Sequence, residues 1–146
     1  MKKLLILAIA ALMVTIHSSA KNISIANDRP KDSIISYMHD NASKVVWTVV
    51  KDFNVANFTK DGYQMQAFFD EHNNLVSTVR YLKNRNALPQ AALDNLEREY
   101  SSWGIISLFE ERGLEKEKVY YAKISDGVNS QILKINGKGK LRKFNM

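Results

Sequence analysis

Past residue 44 the chain reads as short runs of alternating apolar and polar positions, separated by Asp-Gly and Asn-rich turns. Alternation with a period of two places successive side chains on opposite faces of a strand. Tyr63, Met65, Ala67 and Phe69 alternate with Gln64 and Gln66, which predicts a strand over residues 63–69. The β-branched and aromatic run 45–50 predicts an earlier strand. Lys51-Asp52 breaks it, and residues 53–58 predict the next. Lys60-Asp61-Gly62 predicts a tight hairpin, because Asp-Gly accepts the positive φ angles such a turn needs. Asp70 to Asn74 predicts another turn, and residues 75–82 a strand that completes a four-stranded antiparallel meander.

The second half opens on a different period. Leu93, Leu96, Tyr100 and Trp103 recur at helical spacing, which predicts one buried stripe. Pro89 stands at the expected first helical position and Gly104 at the expected C-terminal stop. Strands are expected again at 105–109, 119–124, 128–135 and 141–144. A shorter helix, capped by Asp32 or Ser33 with apolar Ile34, Ile35, Tyr37 and Met38, is expected before the first meander. Gly62 precedes Leu75 by 13 residues and Gly127 precedes Leu141 by 14, which suggests an internal repeat. The predicted fold class is α+β: tandem repeats of a helix plus a four-stranded antiparallel sheet, about 33–83 and 84–146.

The N-terminus follows another logic. Met1-Lys2-Lys3, an apolar run over residues 4–16 and Ser18-Ser19-Ala20 form the charged, apolar and small-residue regions of a cleavable signal peptide. The run is shorter than the roughly 20 residues of a membrane span. Residues 1–20 are thus expected to be removed, residues 21–32 to form a polar leader, and 33–146 the domain. Loss of Lys2 and Lys3 lowers the formal net charge from +6 to +4. The chain has no cysteine. That excludes disulfides, a thiol nucleophile, a cysteine-ligated zinc site and a lipobox. The expected location is periplasmic or secreted, with no stable membrane span after cleavage.

No catalytic set emerges, so no enzyme, cofactor or metal is expected. Asp70-Glu71-His72 can be drawn as an acid–base or metal site, but Asp and Asn in such a run ordinarily serve the turn itself. The acids Glu110, Glu111, Glu115 and Glu117 flank a loop, with Lys116 and Lys118 interleaved, and read as a solvated, charge-balanced hairpin end. The C-terminal cations are divided between strand faces and accompanied by acids, so no nucleic-acid partner is expected. The aromatics carry more. Phe68 falls on the strand face of Gln64 and Gln66, opposite Phe69, and Tyr120 and Tyr121 point to opposite faces. An antiparallel sheet commonly leaves one face wet, where aromatics anchor partners. Phe68, Gln64, Gln66 and Tyr120 are therefore the candidate partner-binding residues. The competing reading is a second buried layer.

From Val45 onward the chain resembles the PepSY-like, beta-lactamase-inhibitor-like family of small exported proteins. The resemblance is carried by Val46-Trp47, Asp61-Gly62, Ala67-Phe68-Phe69-Asp70, Leu88-Pro89 and Trp103-Gly104-Ile105. It implies a helix packed on an antiparallel sheet, repeated in tandem, and keeps inhibition alive as a class of activity. The expected function is a non-enzymatic module that binds an unknown protein or peptide through its sheet face. The alternative is a structural or stress-related envelope protein without a discrete ligand.

Overall fold

The computed structural model describes residues 45–113 and 118–144. The expected signal peptide, polar leader and first short helix, and the acids Glu115 and Glu117, lie outside the described residues. The strands are β1 (Val46–Val50), β2 (Phe53–Lys60), β3 (Tyr63–Phe69) and β4 (Leu75–Tyr81), followed by helix α1 (Gln90–Glu99). Then come β5 (Gly104–Gly113), β6 (Lys118–Ser125), β7 (Ser130–Asn136) and β8 (Leu141–Phe144). A single 3-10 turn, Arg85–Ala87, precedes the helix.

The expected pair of helix-plus-sheet repeats is not what forms. All eight strands belong to one sheet in the order β1 to β8, with one short described helix, so the architecture is mostly β. The reason lies at the strand edges. A free-standing four-stranded meander would leave the outer edges of β4 and β5 with unpaired N–H and C=O groups. Adjacency of β4 and β5 covers both edges as far as the Leu82–Leu108 bond. Alternation specifies which face a residue takes, but it carries no information about the next strand over.

The chain divides into two compact units between Thr78 and Val79, within β4. In the first, β2 and β3 pair from Asn54–Phe69 to Lys60–Tyr63, leaving Asp61 and Gly62 as the whole loop. Their φ angles of 51° and 74° give the left-handed pair that a two-residue hairpin turn requires. Ala56, Phe58, Ala67 and Phe69 form a buried cluster, with Trp47 tilted over Phe69 at 5.7 Å.

In the second unit α1 covers one side of β5–β7. Leu88, Ala92 and Leu96 pack with Leu108, Ala122 and Leu133. Each fully buried leucine contributes roughly 2 kcal/mol. Pro89 caps the helix from outside, its carbonyl accepting from the Ala92 and Leu93 amides at 2.9 and 3.2 Å. The helix stops at Glu99, earlier than the periodicity suggests. Ser101 and Ser102 favour local turn bonds over helix, and the Trp103 amide donates to Tyr100 O at 2.9 Å. Tyr100 and Trp103 still pack on the helix-side cluster, but from a turn. Gly104 opens β5 rather than ending α1.

Candidate functional site

The candidate residues take different places. Gln64, Gln66 and Phe68 share one face of β3, while Tyr120 belongs to β6 in the other unit. Gln64 is exposed. Gln66 is buried and donates from Nε2 to Asn57 Oδ1 at 2.8 Å; Asn57 Nδ2 in turn donates to Thr48 Oγ1 at 3.0 Å. Phe68 is 0% exposed and meets Phe53 edge-on at 6.3 Å. Tyr120 is 5% exposed, inside the cluster that α1 covers. A buried ring presents no surface to a partner, so Phe68 and Tyr120 act as core. The signal was in the chain. Ala67-Phe68-Phe69 is an unbroken apolar run, all of it buried, and a strand covered on both faces loses its apolar–polar alternation.

Asp70-Glu71-His72 forms the β3–β4 turn. Asp70 Oδ1 accepts from the amides of Asn74 at 2.8 Å and His72 at 3.0 Å, and Oδ2 accepts from Asn74 Nδ2 at 3.1 Å. These bonds, the Asn74 amide foremost, hold the Asp70 carboxyl below its ordinary range. Its oxygens serve the turn. Among the described residues no group of three or more His, Cys, Asp or Glu side chains is placed to hold a metal.

Glu110 and Glu111 overturn the solvated reading, because both are buried. Glu110, whose side chain is 3% exposed, accepts from Arg80 at 2.9 Å and from Arg112 at 2.7 Å. Burial pushes its pKa up, but the Arg112 hydrogen bond and the charges of Arg80 and Arg112 outweigh that, and the net shift is downward. A carboxylate held ionised in this way is an organising anion and a poor proton donor. Sequence separation hid it, since Arg80 is 30 residues away.

The second unit also contains a cleft that the chain's periodicities do not announce. The Leu82 amide donates to Leu108 O at 2.9 Å as β4 runs out. From there Lys83, Asn84 and Arg85 leave the sheet, while β5 extends back to Gly104. A bulge interrupts β5 between Ile105 and Ser107. The two chain segments stand apart around a cleft of about 340 Å³, lined by residues 82–85 and 103–108. That is within the lower range of ligand pockets. Leu82, Trp103, Ile105 and Leu108 supply apolar surface, and Ile106, at the bulge, is 58% exposed. Bulges often sit beside binding sites because they re-aim a side chain. Arg85, Trp103 and Ile105 also line an adjoining cleft of about 100 Å³.

No family model and no curated protein matches the chain. Solved structures do share its fold. A BLIP-like protein from Bacteroides fragilis is 21% identical, with a TM-score of 0.69 over 77% of this chain and 82% of that one. A candidate periplasmic protein from Bacteroides eggerthii is 16% identical, with a TM-score of 0.73 over 82% and 90%. A DUF2874 family protein from Bacteroides uniformis is 15% identical, with a TM-score of 0.70 over 77% and 86%. At these identities the likeness is one of fold: the chain has a BLIP-like fold. No described helix is long and apolar enough to cross a membrane.

Proposed function

We propose that the protein is an exported, non-enzymatic binding module whose ligand is a protein or peptide, with inhibition of that partner as the activity to test. Residues 1–20 act as the export signal, 21–32 as a leader, and the remainder as the binding domain. The observation that carries the reading is the cleft where β4 leaves β5, with an apolar floor and the protruding Ile106. The BLIP-like fold supports the class of function without naming a target. The test is affinity capture from an envelope fraction with residues 21–146, against an Ile106→Asp control. Ile106 is exposed, so the control keeps its fold. A protein retained by the wild type and lost by the control supports the reading. Equal retention by both removes the cleft from it.

A second reading, a structural envelope protein that associates with itself, is favoured by β1. That strand ends the described sheet, carries no charge, and leaves Val46 and Val49 about 40% exposed. Edge strands without charge are prone to pair with another copy. Sedimentation velocity of the wild type and Val49→Lys tests it: a concentration-dependent dimer abolished by the lysine supports it, and a monomer in both removes it.

A further inference from the structure

We infer that the cleft between residues 82–85 and 103–108 takes an extended, acidic peptide segment of a protein partner. The inference rests on the binding-module reading and names its ligand. Three features of the cleft select that chemistry.

The first is shape. Leu82 bonds Leu108, and the chain then diverges, so the early part of β5 is left without a β4 neighbour beside it. A strand laid in this opening would continue the place of β4. Addition of an extended segment to an available sheet edge is a recurring mode of peptide recognition, in which backbone bonds give affinity and alternate side chains give specificity.

The second is the apolar lining. Trp103 and Ile105 lie on the wall of both clefts, and Ile106 projects outward at the bulge. An aromatic and two aliphatic side chains within the four residues 103–106 suit one or two apolar side chains of the incoming strand.

The third is charge. Lys83 and Arg85 line the larger cleft, and no Asp or Glu does. Arg85 is exposed and makes no ion pair among the described residues. Its planar guanidinium can hold a carboxylate through two parallel hydrogen bonds. Among the residues that line the two clefts the one acid is Glu97, in the smaller cleft. A ligand with an acidic side chain next to an apolar one satisfies both walls together. A basic ligand would meet Arg85 as a like charge.

The experiment uses residues 21–146 and three terminally blocked hexapeptides that alternate valine with glutamate, glutamine or lysine. Binding is followed by amide chemical shifts and by tryptophan fluorescence in a Trp47→Phe background. The glutamate peptide is expected to shift the amides of residues 83–85 and 103–108. It is also expected to bind roughly tenfold more tightly than the glutamine peptide, with the difference falling at high salt. Arg85→Ala should remove the discrimination between the two, and Arg85→Lys should restore only part of it. Equal affinity of all three peptides at the same amides would overturn the acidic specificity and leave the binding-module reading standing. Shifts confined to other residues would overturn the placement at this cleft. Absence of any shift, together with captured protein that Ile106→Asp still retains, would overturn both the acidic specificity and the placement at this cleft, and leave the binding-module reading standing.

Discussion

Asn95 and Gly139 are joined across the helix–hairpin contact: Asn95 Nδ2 donates to Gly139 O at 3.0 Å. The same approach brings the glycine against the helix backbone. A Cβ on Gly139 would stand 2.5 Å from Ala92 N and 2.7 Å from Ala91 C, and its φ is +82°. Two independent constraints, space and conformation, therefore demand glycine at this one turn. The contact ties α1 to the β7–β8 hairpin, and α1 closes the cluster containing Tyr120.

Gly139→Ala should destabilise the protein by about 2 kcal/mol or more, because both the helix and a left-handed backbone must yield. Gly137→Ala, where the nearest atom is Lys118 O at 3.6 Å, should cost much less. Urea midpoints of the two variants check this; equal midpoints would contradict the contact.

Phe68→Ala and Tyr120→Ala should each cost about 3 kcal/mol or more, as large buried rings do when truncated. Gln64→Ala, at an exposed site on the same face as Phe68, should change stability by about 0.5 kcal/mol or less. Thermal unfolding of the three variants separates core from surface roles.

Acid stability should depend on Glu110. Its folded pKa lies below the ordinary value of 4.5, so its contribution is complete above that value and is lost as pH falls through the folded one. Glu110→Gln should lower stability at pH 7 by about 2 kcal/mol, less than a fully buried pair costs, because Arg80 and Arg112 are partly solvated. It should also flatten the decline below pH 4.5. Unfolding midpoints measured across that range for both proteins provide the comparison, and parallel curves would remove Glu110 from the acid response. Asp70 and Asp126, whose carboxyls are also lowered by turn hydrogen bonds, account for a slope that remains.

The alkaline limb should belong in part to Tyr121. Burial first, and then the neighbouring Glu111 carboxylate, push its phenol well above the ordinary value of 10.0. The unfolded chain therefore releases this proton first, and stability should fall as pH rises past 10. Tyr121→Phe removes a group that cannot ionise in place, so its stability should fall less steeply between pH 9 and 11. An unchanged slope would show that Tyr81 and Tyr120, also raised by burial, carry the effect.

Much of the local structure was legible in the chain. The Asp61-Gly62 hairpin, strand Tyr63–Phe69 and strand Leu141–Phe144 follow from alternation and turn chemistry, which act between residues close in sequence. The leucine stripe located α1, although Ser101 and Ser102 end it before Trp103. The binding surface was not legible in the same way. Reading Phe68 and Tyr120 as outward assumed one wet sheet face, and the cleft at Trp103 and Arg85 exists only because two strands of unequal length run out at different points.

By itself, then, the sequence determined where the strands, the Asp-Gly and Asp-Asn turns and the helical stripe fall, because backbone sterics and side-chain periodicity are local. Tertiary structure alone decided that the eight strands form one sheet, that Phe68, Tyr120 and Glu110 are buried, and where β4 parts from β5. Edge pairing and burial depend on what a distant segment places beside a residue, and Arg80 reaching Glu110 is the plainest instance: neither side chain's own neighbours along the chain foretell the ion pair.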